Sequence, residues 1–297
     1  MSASSQQAMG AGAPARRKEH GMTDHLRQFL GRAGFAFFTA LIGAIFALPL
    51  VWFLFAPFNS RAELGLAIPE PFSLSNFRQV LENSFAIRAL GNSLIQSVGG
   101  TLLVALAATL ASYALSRSPL PGKRAVTYVL LLFSSVVSGS AAMVPIFLMI
   151  TRAGIIDTHL SVILVFAGGL LPTAMFILRD FIDGIPRSYE ESAMVAGASP
   201  VQAFFDVALP VIRPGVVVVV VWAFVNIWGS FLIPFILLRS AEKMPASVAI
   251  YSFYSEAGTP IVTLLAAYAL LYSLPVVLLY LFVSWKFGFR FFGGIKA

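Results

Sequence analysis

Six uninterrupted apolar stretches, at 34–58, 90–116, 125–151, 160–182, 215–238 and 257–285, partition the chain. Each exceeds the ~20 residues that a helix needs to cross a hydrocarbon core. A chain with 58% hydrophobic and only 11% charged residues has too little polar surface to face water all round. Backbone groups cannot stay unpaired in lipid, and these stretches are long and continuous rather than short and alternating. The expected fold is therefore all-α, a polytopic membrane protein with six transmembrane helices.

Lys and Arg set the expected orientation. Arg16, Arg17, Lys18, Arg27, Arg32, Arg117, Lys123, Arg124, Arg179, Arg187, Arg213, Lys286, Arg290 and Lys296 fall on one side. Only Arg61, Arg78, Arg88, Arg152, Arg239 and Lys243 fall on the other. The positive-inside bias places both termini in the cytoplasm. The net charge of +7 is thus a topology signal, and with no basic helix interleaved with aromatics it does not indicate a nucleic-acid partner. Arg16 to Lys18 suit contact with anionic membrane lipid.

Two regions follow: a cytoplasmic, partly disordered segment at 1–32, structureless until about Asp24, and a six-helix membrane domain at 33–297. The first apolar stretch begins too late, and runs too long, for the core of a cleaved signal peptide.

The apolar cores contain no Asp, Glu, Lys, Arg or His, and all 13 acidic residues lie in tails, loops or span ends. Ion- and proton-coupled carriers usually place a carboxylate, His or Lys inside the membrane, so secondary transport is disfavoured. No G-x-x-x-x-G-K-[ST] phosphate loop is present either. With no Cys, and with His20, His25 and His159 in tails or loops, no catalytic or metal constellation emerges. The chain is expected not to be an enzyme and to hold no cofactor; any energy for transport comes from a partner.

The exceptional segment is 186–214, amphipathic and charged between spans four and five. Pro186 suits a helix start, Glu190 and Glu191 favour its positive end, and Gly197 closes it. A second short helix over 200–207 begins with Ser199 as N-cap and Pro200 at its first position, while Pro210 and Pro214 oppose unkinked continuation into span five.

Glu191-Ser192-Ala193, Gly197-Ala198, Phe204 and Leu209-Pro210 resemble the EAA loop of ABC-importer permeases, written E-A-A-x-x-x-G and then L-P. Ser192 stands for the usual Ala, and Ala196 for a frequent Asp. Asn92-Ser93-Leu94, Ala111 to Arg117 with Pro121-Gly122-Lys123, Pro145 with Gly154 to Thr158, Trp228-Gly229-Ser230-Phe231 and Gly293 to Ala297 resemble, in order, the carbohydrate-uptake branch with its maltose-type second permease. Gly229 stands where that branch often has Asn.

The resemblance implies a multi-pass permease subunit of the bacterial inner membrane. It would pair with a second permease, two ATP-binding cassette subunits that bind ATP and Mg, and an extracytoplasmic substrate-binding protein. The transported compound would be a sugar, an oligosaccharide or monosaccharide, with a glycerol-phosphate compound as the alternative. Residues expected to couple the chain to the ATPase are Glu190, Glu191, Ser192, Ala193, Gly197, Ala198, Phe204, Leu209 and Pro210. Glu191 is expected to make the electrostatic contact. Asn226, Trp228 and Ser230 are the candidate substrate-pathway residues, since sugars take hydrogen bonds and ring stacking. Ser134, Ser138, Gly139 and Ser140 suit close helix packing instead.

Overall fold

The computed structural model describes residues 20–59, 72–119, 122, 125, 128, 129, 132, 142–254 and 258–287, with side chains from residue 30. About half of expected span three, with Ser134, Ser138, Gly139 and Ser140, lies outside the described residues. So do Arg16 to Lys18, Arg61, Glu63, Glu70, Pro121, Lys123, Arg124 and the tail from Gly293. The described residues are helical apart from turns and two isolated bridges, and five helices are long and apolar enough to span a membrane.

The first unit is helix α1, His20–Phe55. It starts earlier than the expected 34, because nothing in the 20–33 sequence breaks the helix and only its charge marks it off from the apolar part.

The second unit runs Ala56–Ala297. After a 3₁₀ turn at Ala56–Phe58 comes α2, Ser75–Glu82, held against that turn by Asn76, whose amide donates to the Pro57 and Asn59 carbonyls at 2.8 Å each. Helix α3, Ser84–Arg117, begins where the Asn83 side chain accepts from the Ala86 N–H at 3.1 Å. Next come α4, Met143–Arg152, and α5, His159–Asp183, whose N-cap Thr158 accepts from the Ser161 N–H at 3.2 Å.

Helix α6, Arg187–Val195, is short. Helix α7, Pro200–Trp228, is long, and α8, Leu232–Leu237, follows after a break at 229–231. The small α9, Ala246–Ala249, leads through a 3₁₀ turn toward α10, Val262–Phe287.

Span five therefore differs from expectation at both ends. Pro210 and Pro214 do not stop the helix, because the turns at Ala203–Ala208 widen to π geometry immediately before Pro210. A widened turn gives the proline ring room and tolerates its missing N–H donor. At the other end Gly229 terminates α7, so the expected stretch to 238 is broken rather than continuous.

Helix α3 is the centre of the second unit, packed by both α5 and α7. Its buried face repeats small or hydroxylated residues, including Ser93, Ser97, Thr101, Ala105, Ala108 and Ser112. Such residues let backbones approach, which is how helices associate where lipid removes the hydrophobic drive. Val104, Leu178, Ile182, Ile212 and Val219 fill the core between the three helices. Where α7 crosses α5, a Cβ on Gly215 would lie 2.6 Å from the Phe181 ring, so that position accepts only glycine without movement.

A polar knot fixes the end of the unit where α3 begins. Asp157, at φ 59°, accepts from the Arg239 N–H at 2.9 Å, the Ser240 N–H at 3.0 Å, the Ser240 hydroxyl and Lys243 Nζ at 3.2 Å. Asn92 donates to the Glu242 and Met244 carbonyls, Gln96 meets His159 Nδ1 at 3.1 Å, and Ser93 accepts from the Ala246 N–H. The Ser240 hydroxyl above all, with the Ser240 and Arg239 amides, holds the Asp157 carboxyl well below the usual carboxylate range.

That depressed value makes the knot acid-sensitive. Its stabilisation is complete above the ordinary carboxylate range, near pH 4, and is lost progressively as pH falls below it. Asp157→Asn removes an acceptor for Lys243 and Ser240; the expected cost is about 1–3 kcal/mol near neutral pH. Thermal melting in detergent at neutral pH checks it, and an unaltered melting temperature refutes it.

Candidate functional site

Four helices meet at the other end of α3, about 35 Å along its axis from the knot. Tyr113 and Arg117 lie one turn apart on α3 and face the same way. Glu190 of α6 is only 5% exposed, although it carries a carboxylate. Arg117 embraces it in a fork, with Nη2 donating to Oε1 at 2.6 Å and Nε to both carboxylate oxygens at 2.9 and 3.1 Å. The Tyr113 hydroxyl donates to Oε2 at 2.8 Å.

The guanidinium does more than pair. Its Nη2 also reaches the carbonyls of Ile182 and Ile185, at 3.4 and 3.3 Å, around the end of α5. The Tyr113 ring packs on Phe204 of α7, with centroids 4.7 Å apart. Alongside, Ser116 donates to Asp183, Arg179 pairs with Asp183 at 3.1 Å, and Arg187 caps α3 through the Ser116 carbonyl at 3.2 Å.

Beyond this joint, local sequence dictates a rigid turn. Ala198 N–H bonds to the Ala193 carbonyl and Gly197 N–H to the Met194 carbonyl, both at 3.0 Å, which is a Schellman closure of α6. Gly197 sits at φ 99°, where an L side chain is strained even though nothing crowds a Cβ there. Ser199 and Gln202 then form a reciprocal capping box, at 3.3 and 2.8 Å, that starts α7.

The sequence-predicted residues divide into two sets here. Glu191, Ser192 and Gly197 are exposed; Ala193, Ala198, Leu209 and Pro210 are half-buried. Phe204 is buried under Tyr113, and Glu190 is turned inward to Arg117, so both bind within the chain rather than presenting an outer surface. The exposed surface also carries apolar side chains: Tyr189, Met194 and Val201 project, and Val195 is 91% exposed.

A second feature lies between α5, α7 and α8. A cleft of about 190 Å³ is lined by Val165, Phe166, Gly169, Leu170, Asn226, Ser230 and Ile233. Asn226 and Ser230 are four residues apart and share one side; residue 228, some 200° around from 226, faces away from it. Trp228 is accordingly 3% exposed, stacked on Tyr272 at 5.2 Å and donating its indole N–H to the Tyr272 carbonyl at 3.0 Å. The Tyr272 hydroxyl returns a bond to the Trp228 carbonyl, so Trp228 clasps α7 to α10 rather than lining the cleft. Asn226 donates one amide proton to the Trp222 carbonyl at 2.8 Å; an amide has a further donor and an acceptor to offer.

Sequence reasoning passed over the roles of Tyr113 and Arg117, although their one-turn spacing at the charged end of a span is a readable signal. The partners of Asp157 lie more than 80 residues away and left no local trace.

Such a bundle, with a braced short helix at one end and a cleft between spans, is that of a polytopic membrane transport component. Residues 108–286 match the family "Binding-protein-dependent transport system inner membrane component", and the chain belongs to it. The chain is 30% identical, over 68% of both proteins, to the diacetylchitobiose uptake system permease protein NgcG of Streptomyces coelicolor. It is 26% identical to the maltodextrin transport system permease protein MdxG of Bacillus subtilis, over 84% of this chain and 90% of that one. Its fold is similar to a chain of a bacterial ABC transporter involved in the import of the acidic polysaccharide alginate, with a TM-score of 0.74 and 22% identity, covering 86% of this chain and 98% of that one. The protein is a multi-pass inner-membrane permease component, and its family comprises transport subunits rather than enzymes.

The φ of Gly197 gives a direct check on the turn. Gly197→Ala is expected to cost roughly 1–2 kcal/mol of local stability. Limited proteolysis in detergent should cleave at residues 196–199 about tenfold faster, with cleavage elsewhere unchanged; equal rates at the turn would refute the strain.

Proposed function

We propose that this chain is one of two permease subunits of a binding-protein-dependent ABC importer that moves a sugar across the bacterial inner membrane. The observation that carries the reading is α6 with the turn after it: a short helix braced from inside, closed at its C-terminal end and followed by a capping box, with Tyr189, Met194, Val195 and Val201 facing outward. An interfacial lipid-binding helix would carry several Lys and Arg on its polar face, whereas the exposed charges of α6 are one of each sign, Arg187 and Glu191. Exposed apolar side chains on a rigid turn suit a groove on another protein.

In this reading six helices span the membrane in a 33–297 domain, with residues 1–32 and the C-terminus in the cytoplasm, and the segment at about 186–214 couples to an ATP-binding cassette subunit. Two such subunits bind ATP and Mg, and a second permease supplies the other wall of the pathway. An extracytoplasmic binding protein delivers the sugar. Val195, Met194 and Tyr189 make the apolar contact, with Glu191, Ser192 and Ala193 around them and Gly197 and Ala198 holding the turn. Leu209 and Pro210 continue that turn into α7.

Binding of substrate falls to the cleft. Asn226 and Ser230 offer amide and hydroxyl groups beside the apolar lining of Val165, Leu170 and Ile233, the combination that recognises a sugar through hydrogen bonds and apolar contact. Trp228 acts from behind, fixing the register of α7 through Tyr272. Several relatives are named for saccharides, diacetylchitobiose and maltodextrin among them, which supports the sugar class.

Affinity purification of the tagged chain from its native membrane, followed by mass spectrometry, tests the assembly. Recovery of a second permease and an ATP-binding cassette subunit is the expected result; repeated recovery of the chain alone in mild detergents would sink the reading.

A Val195→Asp variant should insert normally yet retain less than about a tenth of the ATPase subunit, because a charge would be forced into an apolar contact. Full retention would move the docking surface elsewhere. Asn226→Ala should lower uptake several-fold in vesicles assayed with labelled maltooligosaccharide, galacto-oligosaccharide and glycerol phosphate. Uptake of glycerol phosphate alone would overturn the sugar assignment.

A further inference from the structure

The buried carboxylate of Glu190 is poorly placed for any external partner and elaborately placed for internal ones. It takes three contacts from the Arg117 fork and one from Tyr113, all between 2.6 and 3.1 Å. A charge pair this enclosed is rarely retained for stability, since apolar residues of similar size often serve as well. What it does provide is direction: a planar fork fixes the orientation of a carboxylate as well as its distance. The same guanidinium grips two carbonyls at the end of α5, and the same tyrosine ring seats Phe204 of α7. One charge cluster therefore ties α6 to the ends of α3, α5 and α7.

We infer that Glu190, Arg117 and Tyr113 form a clamp that makes α6 and the α3–α5 end move as one body, delivering displacement of α6 to the helices lining the Asn226–Ser230 cleft. The inference rests on the reading of the chain as an ABC permease. It assigns to Glu190 a positioning role inside the chain, in place of a contact with the ATPase.

The alternatives elsewhere in the segment transmit less well. Between α6 and α7 stands the positive-φ turn at Gly197, and within α7 comes the π stretch at Ala203–Ala208. A widened helical turn next to Pro210 bends more readily than a regular helix. The covalent route along α7 is thus softened at its π stretch, and the charged route into α3 is the stiff one. Because α3 is a helix of 34 residues packed against both α5 and α7, movement of its end is passed to those two helices, which line the cleft.

The natural chain contains no cysteine, which makes a clean test available. Ser230→Cys places a single thiol in the cleft, and its labelling by a water-soluble methanethiosulfonate reagent is followed on the tagged chain within the purified complex in nanodiscs. Labelling is compared without nucleotide and after trapping with Mg-ATP and vanadate. In the otherwise unaltered chain, trapping is expected to change the labelling rate by fivefold or more.

With Glu190→Ala added, the two rates should agree within twofold although ATPase subunits still co-purify. Glu190→Gln, which keeps the shape and drops the charge, should lose at least half of the response and covers the case in which the alanine variant does not assemble. Arg117→Lys, which restores the charge but not the fork, should fall between. A merely structural role would lower the melting temperature and shift both rates together, leaving their ratio intact. A full nucleotide response in either Glu190 variant overturns the clamp. Absence of any response in Ser230→Cys alone, or of any ATPase in the complex, instead strikes the permease reading on which it rests.

Discussion

Helices immersed in hydrocarbon gain almost nothing by burying leucine against leucine, so their association depends on close backbone approach and on polar groups that have no better partner. Helix α3 meets that constraint along its whole length. Small and hydroxylated residues recur on its buried face about every four positions, α5 and α7 lie against it, and each of its ends is tied down by a hydrogen-bonded cluster. At one end the side chains of Asn92, Ser93 and Gln96 hold a loop and the start of α5. At the other, Tyr113 and Arg117 hold α5, α6 and α7.

Much of this was legible in the sequence wherever the determinant was local. Apolar length marks α5 to within one residue at each end, because Thr158 caps it and Gly184 follows it. The Ser199-Pro200 start and the Gly197 stop were equally plain, since capping and positive φ are properties of a few adjacent residues. The limits of span five were not. Proline argues for a break, and whether the chain breaks or widens into a π turn is decided by packing that the local sequence does not encode.

The same division runs through the site. Asn226 and Ser230 could be picked out as polar groups in an apolar run, but Trp228, between them in sequence, points the opposite way, as helical geometry requires. The inward turn of Glu190 was hidden for a different reason. Two adjacent glutamates at a helix start look alike in sequence, and only the arrival of Arg117 from 73 residues earlier separates a buried carboxylate from an exposed one.

That separation explains how one short helix can serve two purposes at once. A surface meant to grip a partner has to be exposed and partly apolar, and exposed apolar helices nine residues long are not stable by themselves. Helix α6 escapes the conflict by dividing its circumference: Glu190 is spent entirely on the interior, which frees Val195 and Met194 to face outward without loosening the helix. The Schellman turn and capping box then hold its C-terminal end in place. Stiffness in α6 thus originates in a charge pair in the adjoining bundle rather than in the helix itself. The nearby π turn softens α7, so the stiffer path from the exposed face toward the cleft runs through Arg117 to α3 and on to the helices packed against it.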